Sequence, residues 1–271
     1  MTGPIFDTHA HYSARAFDAD RFALLDSLPA KGVVGVCEQA THSGDAPRVL
    51  ELAHRYPWVV AAIGIHPESL LPAADCGEDG PAPTVSVYGG DWAAEMRALM
   101  PYYDDPKVVA VGECGLDYHW PVPKDAQLAL FEAEIRLALE LDKPIIVHDR
   151  QAHADVYALL KKYRPKGIVH CYSGSAEDAV QLAAQGLYIG FGGACTFNGA
   201  KRAAKAIEAL PLDAIVLETD CPYMAPEPVR GTRCDSSLIR YVGEYIAQLR
   251  GISAEEVFRT TAENARRVYG L

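Results

Sequence analysis

Eight short apolar runs punctuate the chain, near residues 5–9, 33–38, 59–65, 108–113, 144–148, 167–170, 187–192 and 214–219. They are apolar on both faces, the pattern of strands covered on both sides in a parallel sheet. Helical periodicity lies between them. In Gln127–Leu141, residues Leu128, Phe131, Ile135, Ala138 and Leu139 share one face, and Leu238, Val242, Ile246 and Leu249 do so near the C-terminus. Ser175-Ala-Glu-Asp and Ser253-Ala-Glu-Glu are capping boxes that open helices. Eight strand–helix units in 271 residues predict a single α/β domain over 1–271, a (β/α)8 TIM-type barrel rather than a doubly wound sheet. Residues 72–90, rich in Pro and Gly, read as an insertion in the loop after the third strand, on the rim of the barrel.

Five of these runs end on potential metal ligands. Ile5-Phe6 leads into His9 and His11, Val108–Val111 into Glu113, and Pro144–Val147 into His148. Gly167–Val169 leads into His170, and Ile215–Thr219 into Asp220. His9 and His11 are two apart, so on a strand they share a face. Taken singly, each histidine reads as a hydrogen-bonded structural side chain, and Glu113 as a buried acid paired with a base. A parallel barrel gathers the carboxyl ends of its strands at one mouth. Four imidazoles and two carboxylates there, without a metal, would repel one another or be stranded without solvent. A mixed nitrogen and oxygen set suits zinc, manganese or iron better than calcium, and magnesium stays among the candidate ions. Six ligands exceed what one open catalytic zinc uses, so two divalent ions are expected.

Around this core, Asp7 reads as an orienting acid or a turn residue, and Asp117 as a loop anchor or a turn residue. His66, ending the third run, reads as an orienting or phosphate-contacting group, or as structural. Arg150, two past His148, has the reach to grip a phosphate bidentately or to form a surface ion pair. Arg230 and Arg233 are weaker candidates of the same kind. His42, His54, His119 and His153 lack strand-end positions and read as loop or helix-surface residues.

Seven cysteines with no paired spacing read as reduced and structural, including Cys114, Cys171 and Cys221 beside candidate ligands. The net charge of −11 argues against a broad polyanion-binding face. It leaves a local site open, where divalent ions and a few arginines dominate the field. No apolar run reaches the length of a membrane span, and the first strand begins almost at the N-terminus. A cytoplasmic protein with no membrane association and no obligate protein partner is expected.

The chain resembles the TatD family of metal-dependent hydrolases, among the amidohydrolase-like barrels. The likeness is carried by Asp7-Thr-His-Ala-His11, Gly64-Ile-His-Pro67, Gly112-Glu-Cys-Gly-Leu-Asp-Tyr118 and Ile145-Ile-Val-His-Asp-Arg150. It continues through His170-Cys-Tyr-Ser-Gly174, Glu218-Thr-Asp-Cys-Pro222 and Asn264. The resemblance implies a TIM-type barrel, a divalent-metal centre and phosphodiester hydrolysis, often of DNA. It also implies that His9, His11 and Asp220 hold one metal, and His148 and His170 the other, with Glu113 between. Relatives in the wider superfamily often bridge their metals with a carbamylated lysine; Glu113 takes that place here. Cys234 stands where family members commonly carry Asn, and the 72–90 insertion is longer than the family's usual loop.

Metal-activated water would then be the nucleophile, with Asp220 as general base. No serine nucleophile elbow or phosphate-binding Gly-rich loop occurs. The expected activity is a deoxyribonuclease acting as an exonuclease on single-stranded DNA ends, since a narrow mouth admits one flexible strand more readily than a duplex. Two alternatives stay open. One is hydrolysis of another ester or amide (a small phosphoester, a lactone or an aminoacyl-tRNA) on the same centre. The other is a non-catalytic metal-binding protein.

Overall fold

All eight expected strands form, and they lie parallel in one sheet in chain order. They are β1 (Ile5–Ala10), β2 (Val33–Gln39), β3 (Val59–Ile63) and β4 (Val108–Asp117), then β5 (Ile145–Arg150), β6 (Gly167–Val169), β7 (Leu187–Phe191) and β8 (Ile215–Leu217). The end of β1 meets the chain just past β8: Ala10 bridges to Cys221, and the His11 amide donates to the Cys221 carbonyl at 3.0 Å. The result is a nearly closed (β/α)8 barrel, in which the carboxyl ends of the strands open on one face. Every residue of β1, β3, β6 and β8 is buried, as strands covered on both sides require.

This computed structural model describes residues 3–71 and 88–271. Residues 72–87 of the expected insertion lie outside the described residues. The chain divides into two compact units, the first comprising Met1–Glu38, Trp58–Val60 and Ile168–Leu271. The second comprises Gln39–Pro57 and Ala61–Gly167. Among the described residues no helix is long and apolar enough to cross a membrane.

The helices are α1 (Arg21–Ser27), α2 (Ala46–Arg55), α3 (Trp92–Leu99), α4 (Lys124–Glu140) and α5 (His153–Tyr163). They continue with α6 (Ala176–Ala184), α7 (Lys201–Ala209), α8 (Ile239–Arg250) and α9 (Ala254–Tyr269). Both expected N-caps are present: Ser175 Oγ accepts from the Asp178 amide at 3.0 Å, and Ser253 Oγ from the Glu256 amide at 3.1 Å. The inward face of α4 is rotated from the apolar pattern. Gln127, Leu130, Phe131, Glu134, Ile135, Leu137 and Ala138 are buried, while Leu139 is 46% exposed.

Two polar side chains account for that rotation. Gln127 Oε1 accepts from the Asp117 amide at 2.7 Å, and its Nε2 donates to the Asp117 and Val122 carbonyls. Glu134 Oε1 accepts from the Ile65 amide at 2.8 Å. Strand ends carry backbone groups that no ladder satisfies, and leaving a buried donor unpartnered costs about as much as burying a leucine would gain. Gln127 and Glu134 therefore point inward under the ends of β4 and β3, and a leucine is displaced to the surface.

Asn264 does similar work for β8. Its Nδ2 donates to the Leu212 carbonyl at 2.9 Å and to the Ile215 carbonyl at 2.7 Å, joining α9 to the start of the strand. Asn264→Ala leaves both buried carbonyls without this donor. It should lower the unfolding free energy by about 2–3 kcal/mol in urea titration with an unchanged m-value; a loss below about 0.5 kcal/mol would show that these bonds are replaceable.

Candidate metal centre

In the first unit, the ends of β1 and β8 bring three donors together. His9 Nε2 and His11 Nε2 approach to 3.1 Å, and Asp220 Oδ1 lies 3.7 Å from the first and 3.3 Å from the second. Asp220 reaches this position through a left-handed backbone, with φ of 60°, while its amide donates to the His9 carbonyl at 2.8 Å. Burial alone would raise the Asp220 pKa. The His11 hydrogen bond and the charges of His9, His11 and His170 outweigh it and hold the carboxyl below its usual range. The His170 ring stacks on His9 at 3.9 Å between centroids.

A buried carboxylate holds these ends. Asp7, with no exposed surface, accepts from the His9 amide at 3.2 Å and the Thr219 amide at 3.0 Å through Oδ1. Its Oδ2 accepts from the Thr219 and Ser236 hydroxyls, each at 2.7 Å. Two further acids stand behind these candidate ligands. Glu218 accepts from the Cys171 amide at 2.5 Å and lies 3.8 Å from His170 Nδ1, where a carboxylate orients a ligating imidazole. It fits because residue 190 is glycine: a Cβ there would stand 2.3 Å from Glu218 Oε2. Glu38 accepts from the Tyr12 amide at 2.9 Å and the Ser13 amide at 2.6 Å, fixing the turn after His11.

The second unit carries a matching cluster. Glu113 Oε1 lies 3.1 Å from His148 Nδ1 and 3.6 Å from His66 Nε2. His148 Nε2 donates to Asp117 Oδ2 at 2.9 Å, so Asp117 aims the other ring nitrogen at Glu113. The other Asp117 oxygen accepts from the His119 amide at 2.9 Å, so this aspartate serves as loop anchor and imidazole orienter together. Burial alone would lower the His148 pKa, but its hydrogen bonds to the Asp117 and Glu113 carboxylates more than offset it and push the imidazole up to about 10. Gly115 pairs with His148, and a Cβ there would stand 2.0 Å from the His148 carbonyl oxygen; glycine with φ of 143° allows the close approach.

Both clusters fit a divalent ion. In each, two imidazoles and one carboxylate place ligand atoms within 4.8 Å of one another, the mixed donor set that zinc, manganese or iron accepts. Of the expected ligands, His9, His11, Asp220 and His170 gather in the first unit, and Glu113 and His148 in the second. His66, expected as an orienting or phosphate group, stands beside Glu113 and His148 as a third donor.

The three arginines differ. Arg150 is exposed and forms no ion pair among the described residues. Arg230 lies 4.1 Å over the Phe197 ring and 3.9 Å from Glu227. Arg233 grips both oxygens of Asp20, at 2.8 and 2.6 Å, and donates to the Ala16 carbonyl, clamping the chain after β8 to the loop before α1. His153 is more than a surface residue: its Nδ1 lies 2.6 Å from Asp149 Oδ2, and its ring stacks on Tyr157. The six described cysteines are free thiols, and burial pushes the Cys114 and Cys221 pKa values far up, which makes them inert. The Cys234 amide donates to the Pro222 carbonyl at 3.0 Å, and its side chain is buried.

Sequence reasoning passed over Glu38 and Glu218 as site residues. A signal existed for both, since each closes an apolar strand run, the same rule that singled out Glu113 and Asp220.

Comparison with known proteins agrees with this geometry. The family described as TatD related DNase matches residues 6–270. The chain belongs to the TatD family. It is 38% identical to an uncharacterized metal-dependent hydrolase, YabD, from Bacillus subtilis, covering 98% of this chain and 99% of the relative. It is 30% identical to the 3'-5' ssDNA/RNA exonuclease TatD of Erwinia tasmaniensis, covering 98% of this chain and 100% of that protein. The crystal structure of YjjV, a TatD homologue from Escherichia coli K12, superimposes with a TM-score of 0.86 at 28% identity, covering 98% of each chain. The TatD-family chain is thus a metal-dependent hydrolase.

The buried acids of this TatD-family site make stability depend on pH. Burial pushes Asp7 up to about 6, and Glu38 and Glu218 each to about 7, against hydrogen bonds that pull the other way. A folded value above the ordinary one means that the folded protein holds the extra proton. Stability from such a group is complete below the ordinary value of 4.5 and is lost as pH rises through about 7. Metal-stripped protein should therefore lose unfolding free energy between pH 5 and 8, and Glu38→Gln should flatten part of that loss in urea titrations. A stability that rises over this range would contradict the assignment.

Proposed function

We propose that this chain is a divalent-metal-dependent nuclease that trims single-stranded DNA or RNA ends. The observation that carries the reading is the presence of two histidine–carboxylate clusters, one in each unit, in a chain of the TatD family. Erwinia TatD, alike over nearly its full length, is named as a 3'-5' ssDNA/RNA exonuclease, which supports this substrate class.

In this reading His9, His11 and Asp220 hold one ion, with the His170 ring stacked on His9, and His66, Glu113 and His148 hold the second. The ions would be zinc, manganese, magnesium or iron. Bound divalent ions lower the pKa of water from roughly 15.7 toward ~7 and so supply a hydroxide nucleophile near neutrality. Asp220, held anionic by its imidazole neighbours, accepts the proton of the attacking water. Glu218 and Asp117 keep His170 and His148 oriented, and Asp7 keeps the ends of β1 and β8 in register with each other.

Arg150, free of ion pairs among the described residues, takes the non-bridging oxygens of the substrate phosphate. Arg230 lies on the rim over Phe197 and is a second phosphate contact. Arg233, whose guanidinium is engaged with Asp20 and the Ala16 carbonyl, contributes through the loop that it clamps.

End-labelled single-stranded DNA with added manganese tests this directly. Wild-type protein should shorten the strand, and chelation should abolish the reaction. Glu113→Ala and Asp220→Ala should each lower the rate by at least about 100-fold while leaving the melting temperature within a few degrees. No cleavage with manganese, magnesium or zinc would sink the nuclease reading, and turnover of small esters alone would move the assignment to a different ester.

Arg150→Ala should raise KM for the oligonucleotide by roughly tenfold with little change in kcat, since a side chain that grips phosphate equally in ground and transition states acts on binding alone. An unchanged KM would remove Arg150 from the site.

A further inference from the structure

The turn after β4 presents aromatic side chains to solvent immediately beyond the residue that orients His148. Tyr118 is half-buried, His119 is exposed, and Trp120 is 37% exposed. Trp120 is nevertheless held in place. Its indole N–H donates to the carboxylate of Glu68, which itself lies in the field of Asp117, His148 and Glu113. The His119 ring meets Trp120 edge to face, at 5.1 Å between centroids and 78° between planes.

The backbone of this turn is tied to the metal cluster from below. The His119 amide donates to Asp117 Oδ1 at 2.9 Å, and the Tyr118 amide donates to the Arg150 carbonyl at 2.9 Å. Two cations flank the aromatic step. Lys124 Nζ sits 4.0 Å from the centre of the Tyr118 ring, and the exposed Arg150 follows His148 by two residues on β5.

We propose that Trp120, supported by His119, is a stacking platform for an unpaired base of the nucleic-acid strand, next to the phosphate being cleaved, with Lys124 and Arg150 taking the flanking phosphates. The proposal rests on the nuclease reading above and adds the means by which single strands are held. A flat indole stacks on any unpaired base, whereas the bases of a duplex have their faces covered by neighbours. Stacking is indifferent to net charge. That matters in a chain of −11, whose overall field opposes a polyanion and leaves affinity to local contacts. Every base has such a face, so the platform confers strand selectivity without sequence preference.

Trp120→Ala, Trp120→Phe and wild type should be compared on a single-stranded oligonucleotide and on bis(p-nitrophenyl) phosphate, a phosphodiester without bases, with manganese. The alanine variant should raise KM for the oligonucleotide roughly tenfold, move kcat/KM for the base-free ester far less, and be rescued in large part by phenylalanine. Equal losses on both substrates, or an unchanged oligonucleotide KM, would overturn the platform. Fluorescence anisotropy of a labelled oligonucleotide on chelator-treated protein separates the two readings. If wild type cleaves nothing, the nuclease reading fails, while equal binding by wild type and Trp120→Ala overturns the platform independently of turnover.

Discussion

Asp7 is a carboxylate without solvent, and the first half of the site is organised around it. It takes two backbone amides and two hydroxyls from the ends of β1 and β8 and from Ser236. Burying a charged carboxyl is costly unless donors surround it, and four donors are what make this one tolerable. The same four bonds set where His9, His11 and Asp220 stand. Asp220 in particular needs a left-handed backbone that ordinary side chains avoid, and the Thr219 contacts to Asp7 help hold it there.

The candidate ligands are embedded in a layer of buried acids. Glu38 stabilises the turn after His11, Glu218 faces His170, and Asp117 faces His148. His170 and His148 therefore each face an acid that selects the ring's orientation before an ion arrives, which reduces the reorganisation needed for binding. The cost is visible in the raised pKa values of Asp7, Glu38 and Glu218. A cationic occupant would relieve that cost, so metal affinity and protein stability are coupled through the same residues.

The rim is less uniform than the floor. Arg233 is engaged with Asp20 and Phe17, Arg230 with Phe197 and Glu227, while Arg150 stands exposed above β5. His153, paired with Asp149, and the Trp120 turn stand close to Arg150 in sequence or across the β4–β5 ladder.

Much of this was legible in the order of residues. Apolar runs marked all eight strands, because strands of a parallel sheet are buried on both faces and the helical periodicity between the runs set them apart. The ligands were legible because strand ends on one side of a barrel converge whatever separates them in sequence. The inward face of α4 was not, since Gln127 and Glu134 are turned inward by backbone donors on distant strands that no local periodicity records. Nor was the division among the arginines: a guanidinium's partner is set by which loop folds beside it, and Asp20 is far from Arg233 in the chain. The sequence by itself determined the barrel, the donor set and the family, all of which follow from pattern and residue type. Only the tertiary structure decided which acids orient which imidazoles, that His66 stands with the ligands, and which cation and aromatic ring remain exposed, because those outcomes depend on distances between segments that the chain brings together only when it folds.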